Sequence, residues 1–402
     1  MGKEVIIAGI GMGNPDTATV QVIRAIENAD VLIGEKRMLE SFAHLGKKMI
    51  SDYSGQIVAE LIKNTEGEKF AVLVSGDPGL YSGAAYLAEA LAEFSPKVLP
   101  GVSSVSYFCS AIGKSWNDAE VLAAADRKIN IVSEVRRNKK TFVLTDGNIS
   151  QLLVKLCQFG YGDLPVYVGE RLSYADEKIT SGTASELAEK QFDNLAVILI
   201  INEEADSRIP SGLADELFER GDVPMTKKEV RAIAMSTLRV LPDSIVYDIG
   251  AGTGSVAIEA AYAAYRGTVY AVECDESAID LLERNCKNMM ADNVEIIAGT
   301  APAVLKDLPA ADLVFIGGSD GSLEEIVDGV IAKNKAAGKD FRLVINLVSM
   351  KNIGSSVVML SGKKALKIEY TQVSASKLRT EQERSLIQNS DPVFVIKADF
   401  KM

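Results

Sequence analysis

The order of short apolar runs and longer amphipathic segments limits this chain to few folds. Runs rich in β-branched residues alternate with helix-like segments on both sides of a polar stretch, residues 203–227, which is punctuated by Pro210, Gly212, Gly221 and Pro224. Such alternation predicts an α/β protein. Because the pattern breaks at that stretch, we expect two domains, residues 1–205 and 206–402, rather than one continuous sheet.

The first half contains two sets of strand-like runs. The predicted strands are Val5–Ile10, Phe70–Val74, Lys97–Leu99, Thr141–Leu144, Val166–Gly169 and Leu195–Ile201. Helix-like segments, Thr17–Ala29 and Gly83–Phe94, separate the early strands. A joint between residues 112 and 142 predicts two lobes, at about residues 1–112 and 113–205.

The second half repeats the alternation more regularly. Its predicted strands are Ile245–Ile249, Thr268–Glu273, Val294–Ile297, Asp312–Ile316 and Arg342–Asn346. Two late runs, Leu366–Val373 and Val393–Lys397, enclose a polar stretch that lacks a clear helical pattern. We expect these two runs to form an antiparallel edge on an otherwise parallel, Rossmann-like sheet.

Composition excludes several classes of protein. Lys and Arg total 43 against 55 Asp and Glu, and the net charge of −12 argues against a nucleic-acid partner. A single histidine, His44, argues against a histidine-based zinc site or a Ser-His-Asp triad, so we expect no metal. Apolar runs stay well short of the roughly 18 residues that span a bilayer. We therefore expect a cytoplasmic protein with free cysteines and no membrane partner.

A glycine-rich loop follows the predicted strand Ile245–Ile249 and precedes the helix-like run SVAIEAAYAAY. This context is typical of a nucleotide-binding loop, where glycine lets the backbone approach a ligand. Glu273 ends the next strand and can accept both hydroxyls of a ribose. The candidate loop residues are Asp248, Gly250, Ala251, Gly252, Thr253 and Gly254.

The spacing of this loop favours one ligand over another. A dinucleotide site has the pattern G-x-G-x-x-G, whereas this loop reads G-x-G-x-G after Asp248. An aspartate at the entrance suits the cationic amino-acid end of S-adenosylmethionine and would repel a pyrophosphate. The strand Asp312–Ile316 is followed by Gly-Gly-Ser-Asp, which differs from the proline-rich motif that holds a nucleobase amine. We therefore expect the methyl donor, and an acceptor other than a nucleobase.

The second half resembles the decarboxylating C15-methyltransferase family of the cobalamin pathway. The resemblance covers essentially residues 210–398 and rests on GDVPMTKKEVRA, YDIGAGTGSVAIEAA, VYAVE, ADLVFIGGSDGSLEEI and DPVFVI. It implies that Thr226, the loop at Gly250–Gly254, Glu273, and Thr300 with Ala301 surround S-adenosylmethionine. Thr300 stands where that family usually has aspartate.

The first half resembles the C5-methyltransferases of the tetrapyrrole methyltransferase family. The matching segments, within residues 4–201, are AGIGMGNPDTAT, LVSGDPGLYSG, LPGVSSVSYF, SWNDAEV and VGERLSYADEKITSGTASEL. This resemblance implies a bilobed fold with a second S-adenosylmethionine between the lobes, near Gly76, Asp77, Pro78, Gly101, Ser103 and Ser104. The run Ala125-Asp126-Arg127 stands where that family usually has His-Gly-Arg.

In this order, the two halves are similar to fused C5,15-methyltransferases that act on a precorrin or cobalt-precorrin. The resemblance implies methylation at carbons 5 and 15, decarboxylation of the ring C acetate, and a homo-oligomer. The substrate carries many carboxylates, and the cations expected to meet them are Arg127, Arg171, Lys377 and Arg379. Further candidates are Lys227, Lys228, Arg231 and Arg384. For the basic run at residues 136–140 we expect a solvated face.

Three other hypotheses remain open from the sequence. Only the second half could be active, with the first half serving as a substrate dock. The second half could be a tRNA methyltransferase, because fold-level relatives modify RNA, although the net charge argues against it. The chain could also carry a tetrapyrrole without turnover. The number of donor sites distinguishes the first and last of these from a bifunctional enzyme.

Overall fold

The computed structural model describes residues 2–52, 54–124, 128–381 and 384–402, without the side chains of residues 379–381, 384–386 and 388. Its contacts divide the chain into two units. The first consists of Met1–Lys128, Asn138–Cys157 and Tyr161–Glu203. The second consists of Ile129–Arg137, Gln158–Gly160 and Glu204–Met402.

The first unit begins with a parallel sheet of five strands in the order β3-β2-β4-β1-β5. The strands are β1 (Glu4–Gly9), β2 (Val31–Gly34), β3 (Lys48–Ser51), β4 (Lys69–Val74) and β5 (Lys97–Leu99). The helices are α1 (Val20–Asn28), α2 (Lys36–Glu40), α3 (Gly55–Asn64), α4 (Ala84–Ala90) and α5 (Ser104–Ala111). Separate apolar clusters on the two faces of the sheet show that helices cover both.

A second, mixed sheet of five strands completes this unit, in the order β6-β7-β10-β8-β9. Its strands are β6 (Ala119–Ala123), β7 (Lys140–Leu144), β8 (Pro165–Glu170), β9 (Lys178–Thr183) and β10 (Ala196–Ile201). The helices of this region are α6 (Ile131–Arg137), α7 (Ile149–Gln158) and α8 (Ala184–Ala188). Phe108 of α5 packs against Phe142 of β7, which joins the two sheets of the unit through one core.

The second unit is built on a sheet of seven strands in the order β13-β12-β11-β14-β15-β19-β16. The parallel strands are β11 (Ile245–Ile249), β12 (Thr268–Glu273), β13 (Val294–Ala298), β14 (Leu313–Ile316) and β15 (Phe341–Leu347). Its helices are α9 (Lys228–Leu238), α10 (Ser255–Ala263), α11 (Glu276–Asn288), α12 (Leu323–Ala337) and α13 (Met350–Gly362). The strand order reverses between β11 and β14, where such sheets bind ligands.

An antiparallel edge closes this sheet. It consists of β16 (Lys367–Val373) and β19 (Val393–Phe400), and β19 pairs antiparallel with both β15 and β16. The polar stretch between them forms a separate hairpin of β17 (Ser376–Glu381) and β18 (Arg384–Asn389). Short 3-10 helices occur at Pro15–Thr17, Ala43–Leu45, Ala92–Phe94, Asp215–Leu217 and Ala303–Asp307. The predicted α/β class and antiparallel edge are confirmed.

Helix α6 belongs to the second unit, although β6 and β7 on either side of it belong to the first. The N–H and Oγ of Ser133 donate to Asp292 at 3.0 and 2.8 Å. The Asn130 amide donates to the backbone oxygens of Tyr265 and Gly267 at 3.0 and 2.9 Å. Polar contacts to the β12 and β13 region therefore anchor a segment that the sequence places in the first half.

The basic run at residues 136–140 differs from its predicted solvated face. The Arg136 guanidinium lies 4.1 Å from the ring centroid of Tyr262, and that of Arg137 lies 3.9 Å from the ring of Tyr265. The expectation is wrong for both arginines, because aromatic rings cover their guanidinium planes.

A buried ion pair fixes the segment that leads into α9. Arg231 is fully buried, and its Nε donates to Glu259 of α10 at 2.6 Å. Its remaining donors bind Asp215 and the backbone oxygens of Thr226 and Leu213. The expectation that Arg231 meets a substrate carboxylate is therefore wrong, because its donors are used inside the protein.

The part of the chain that the structure describes contains neither a membrane-spanning helix nor a cluster of metal-binding side chains. None of its helices combines the length and the apolar character needed to cross a membrane. Its His, Cys, Asp and Glu side chains form no group of three or more that could hold a metal ion.

We predict that Glu259→Leu lowers the free energy of unfolding by about 3–5 kcal/mol, because it leaves the Arg231 charge buried without its partner. Scanning calorimetry of the full chain measures this change. The double variant Arg231→Met/Glu259→Leu should be less destabilised than Glu259→Leu. As a control, Asp206→Asn breaks an exposed ion pair with Arg208 and should shift the transition little. A wild-type transition in Glu259→Leu would contradict the prediction.

Candidate functional site

A cavity of about 970 Å³ opens at the carboxyl ends of the parallel strands of the second unit. It lies at the reversal of strand order between β11 and β14, where the two connecting loops diverge. Several predicted residues line it: Thr226, Asp248, Gly250, Ala251, Gly252, Glu273, Thr300 and Ala301. The sequence therefore identified residues from four different segments that the fold brings to one place.

The glycines of the loop after β11 allow close approach between two loops. Gly250 has a φ of +72°, and a Cβ there would lie 2.6 Å from the backbone N of Gly318, in the loop after β14. Gly252 has a φ of +55°. The loop pattern predicts glycines that let a ligand approach, whereas at Gly250 the neighbouring backbone already requires glycine.

The Glu273 carboxylate at the end of β12 holds the loop in place. Its Oε2 accepts the Gly252 N–H at 2.7 Å, and its Oε1 accepts the N–H groups of Cys274 and Asp275 at 2.8 and 3.0 Å. A carboxylate oxygen accepts up to two hydrogen bonds, so Oε2 keeps capacity for one more donor. Glu273 therefore combines a structural role with the capacity to accept a ligand hydroxyl.

The Asp248 carboxylate at the end of β11 is 1% exposed and lies in the cavity wall. Neither oxygen makes a well-formed hydrogen bond, although the nearby Ala257 N–H favours the charged form and lowers the pKa of the carboxyl. Burial is the main reason that the pKa of Asp248 rises to about 7, and the nearby Glu273 charge raises it further. A cation in the cavity would stabilise the ionised form.

The cavity as a whole is acidic. Its lining includes the cations Lys227 and Arg284, and Arg284 is paired with Glu219 at 2.9 Å. The acidic lining residues outnumber them and are Asp222, Asp248, Glu273, Asp275, Asp280 and Asp320. This balance favours a cationic ligand and disfavours a pyrophosphate, as the loop spacing also indicates.

Two predicted loop residues lie behind the cavity wall. Thr253 is 1% exposed, and its backbone oxygen accepts the Asn285 amide at 2.9 Å. A Cβ at Gly254 would collide with Leu282 of α11. Both residues therefore fit the loop against α11, whereas Ser255 and Val256, the first residues of α10, line the cavity again.

The first unit has its own cavity, of about 540 Å³, at the carboxyl end of β4. Of the predicted residues, Gly76, Asp77, Ser103 and Ser104 line it, together with Leu144 of the second sheet. Pro78 and Gly101 lie outside its lining, because the backbone of Gly9 packs against both. The cavity lies where the resemblance places a ligand, between segments of the two sheets.

Asp77 shapes the rim of this cavity. Its Oδ1 accepts the Gly79 N–H at 2.7 Å, and its Oδ2 accepts the Gly101 N–H at 3.2 Å. These bonds form a turn and connect the loops after β4 and β5. Its contribution to ligand binding stays a prediction.

The cations predicted to bind substrate have internal partners where their side chains are described. Arg171 pairs with Asp176 at 2.5 Å, and Lys377 of the β17–β18 hairpin pairs with Glu229 of α9 at 2.9 Å. Arg127 and the side chain of Arg379 lie outside the described residues. Substrate binding by these four residues stays a prediction.

One polar group of the larger cavity, Asn346, is not among the residues predicted from the sequence. Asn346, near the carboxyl end of β15, lines it beside Val393 of β19. A polar residue that ends a predicted parallel strand was the available signal, because such positions meet at one edge of the sheet.

Comparison with known families assigns a different model to each half. A model described as tetrapyrrole (corrin/porphyrin) methylases matches residues 4–188. A model described as a precorrin methyltransferase domain matches residues 216–386. Together they cover the lining residues of both cavities except Val393.

Curated relatives match either the second half or most of the chain. A probable cobalt-precorrin-6B C15-methyltransferase (decarboxylating) of Pyrobaculum calidifontis is 37% identical over 46% of this chain and 95% of its own length. The Salmonella typhimurium cobalt-precorrin-6B C15-methyltransferase (decarboxylating) is 37% identical over 46% of this chain and 94% of its own. A precorrin-6Y C5,15-methyltransferase (decarboxylating) of a Sinorhizobium species is 30% identical over 85% of this chain and 84% of its own.

The last relative extends across both units, and the two family models follow the same order along the chain. On this basis, the chain belongs to the family of precorrin-6Y C5,15-methyltransferases (decarboxylating).

Proposed function

We propose that this chain is a bifunctional S-adenosylmethionine-dependent enzyme of cobalamin biosynthesis. It methylates carbons 5 and 15 of a precorrin or cobalt-precorrin and removes the ring C acetate carboxyl as carbon dioxide. Residues 1–205 form the C5 domain and residues 206–402 the C15 domain. The observation that supports this most is a separate cavity in each unit, each at the carboxyl ends of parallel strands.

The residues of the larger cavity fit the methyl donor. When bound, S-adenosylmethionine would supply an electrophilic methyl group on a sulfonium. Asp248 offers a buried carboxylate without a well-formed hydrogen bond, which suits the donor's ammonium. Glu273 has one acceptor position left for a ribose hydroxyl, and Thr300 with Ala301 forms the neighbouring wall.

The acceptor supplies the nucleophile in this chemistry. The conjugated macrocycle directs electron density onto its own meso carbons, so no side chain of the protein has to attack. In the decarboxylation, the bond between the acetate methylene and its carboxyl breaks, and the electron pair passes into the ring. Carbon dioxide leaves, and a proton from water later completes the methyl group. The protein contributes alignment, worth about 7–11 kcal/mol of the barrier.

The product mass tests the proposed function. Incubation of the full chain with precorrin-6Y, or its cobalt counterpart, and isotopically labelled S-adenosylmethionine should give a product that gains two labelled methyl groups and loses one carbon dioxide. Mass spectrometry measures both changes. One methyl group with loss of carbon dioxide would indicate activity of the second half alone, and an unchanged mass with both substrates would overturn the proposal.

We predict that the wild-type chain binds two donors and that Asp248→Asn weakens one site about ten- to hundredfold, because the donor's ammonium loses its carboxylate partner. Calorimetric titration with S-adenosylhomocysteine, which keeps the ammonium, measures both sites. Asp280→Asn removes the same charge from an exposed position of the same cavity and should change binding far less. Equal effects of the two variants would contradict a direct role of Asp248.

Asp248 should also make the stability of the donor-free protein depend on pH. Its pKa of about 7 in the folded state lies above the usual value, so folding is favoured while the group stays protonated. Stability should therefore fall as the pH rises from about 4 to about 7. Asp248→Asn, which stays neutral, should gain up to about 4 kcal/mol over wild type at pH 8 and much less at pH 4.

Thermal unfolding across this pH range measures the difference in stability between Asp248→Asn and wild type.

Asp275→Asn is a control for which the opposite pH dependence is expected. The pKa of Asp275, at the start of α11, is lowered by hydrogen bonds from the Ser277 hydroxyl and the Ala278 N–H. Asp275→Asn should therefore be less stable than wild type at neutral pH, and its deficit should shrink on acidification. A pH-independent difference for Asp248→Asn would show that Asp248 does not titrate in this range.

A further inference from the structure

The side-chain amide of Asn346 is an unsatisfied polar group in the wall of the larger cavity. Both its Nδ2 and its Oδ1 are shielded from solvent, and neither has a hydrogen-bond partner among the described residues. Buried amides are almost always hydrogen-bonded, because an unpaired one is destabilising. An unpaired amide in a cavity wall therefore indicates a group that a ligand satisfies.

The sheet places Asn346 at a defined distance from Asp248. Asp248 is the register partner of Phe315 in β14, and Phe315 is the register partner of Val344 in β15. Asn346 lies two residues beyond Val344, so its side chain projects from the same face of the sheet as that of Val344. Two strand spacings and two residues along the strand place Asn346 roughly 12 Å from Asp248.

The surroundings of the two groups differ in polarity. Glu273 and Asp275 lie at the β12 end of the cavity. At the same end, the Oδ2 of Asp320 lies 3.8 Å from the Sγ of Cys274. Beside Asn346, the apolar side chains of Val230, Phe315 and Val393 line the cavity, and Lys227, about one helical turn before Val230, lines it as well. The acidic end suits the cationic donor, and the other end offers apolar surface with the neutral amide of Asn346.

We propose that Asn346, with Val230, Phe315 and Val393, forms a subsite for the acetate carboxylate that the enzyme removes. This inference rests on the proposed function and assigns the subsite to the acceptor. The Nδ2 of Asn346 donates to the carboxylate and orients it. An arginine or lysine here would stabilise the carboxylate in the ground state and oppose its loss.

The apolar walls favour decarboxylation, whereas a cation would oppose it. Surroundings of low polarity disfavour a charge localised on the carboxylate relative to one spread over the macrocycle. As the carbon–carbon bond breaks, its electron pair enters the ring and carbon dioxide departs. A neutral amide within an apolar wall thus orients the carboxylate and opposes its loss less than a cation would.

The first test separates a ligand-binding role from a structural one. Asn346→Leu should unfold at the wild-type temperature or above, because it removes an unsatisfied amide. The matched control is Asn334→Leu in α12, whose amide donates to the backbone oxygens of Ala311 and Lys339 at 2.7 and 3.0 Å. That variant should unfold at a lower temperature. A loss of stability in Asn346→Leu as large as in the control would overturn the proposal.

The second test measures turnover in the full chain with precorrin-6Y and S-adenosylmethionine. Asn346→Leu should bind S-adenosylhomocysteine like wild type and release carbon dioxide about ten- to hundredfold more slowly. Asn346→Asp should be slower still, because its charge repels a carboxylate, and Asn346→Gln should recover part of the rate. Decarboxylation by Asn346→Asp at least as fast as by Asn346→Leu would exclude a carboxylate ligand and overturn the proposal.

The same assay distinguishes failure of this inference from failure of the proposed function. A wild-type chain that leaves the mass of precorrin-6Y unchanged would overturn the function and, with it, the ligand assigned to Asn346. An active wild type with an equally active Asn346→Leu would overturn the subsite alone.

Discussion

The buried pair of Arg231 and Glu259 is the contact on which the larger cavity depends. It joins α9 to α10, and Arg231 also binds the backbone oxygen of Thr226, which lies in the cavity wall. Glu259 in turn accepts the N–H groups of Gly212 and Leu213 at 3.1 and 2.8 Å. A segment that lacks long secondary structure thereby gains a fixed position beside the parallel strands.

The cavity uses buried polar groups in two ways. Those of Arg231 and Glu259 are satisfied within the protein and serve to hold its shape. Asp248 and Asn346 lack well-formed partners within the protein and face the space where ligands would lie. Leaving them unsatisfied costs stability, and proteins retain such a cost mainly where function requires it.

The regular part of the second unit was predictable from sequence. Strands β11 and β12 begin and end where predicted, because a run of five or six mainly apolar residues between turn signals leaves little choice. Strands β2, β3, β6 and β9 were missed, since each is short or lies at the edge of its sheet, where the sequence is less constrained by burial. The hairpin of β17 and β18 was missed for a similar reason, because it pairs only with itself and needs no apolar face.

At the site, too, some features were predictable from the sequence and others were not. Spacing and strand ends located Asp248, Gly250, Glu273 and Thr300 at one cavity, since the carboxyl ends of parallel strands must meet. The contact partner of an arginine or lysine side chain could not be predicted. From the same backbone position, such a long side chain can reach solvent, an aromatic ring or a buried carboxylate. Arg231 and Arg136 were both misjudged for that reason.

Residues 129–137 make the two halves of the chain harder to separate than their order suggests. The polypeptide enters the second unit at α6, returns to the first at β7, and leaves the first unit for the last time after residue 203. Cutting the chain at the polar stretch would remove Arg136 from Tyr262 and Arg137 from Tyr265, and would leave Asp292 without the donors of Ser133. An excised second half would carry a bare aromatic surface, so its solubility would depend on residues encoded before the cut.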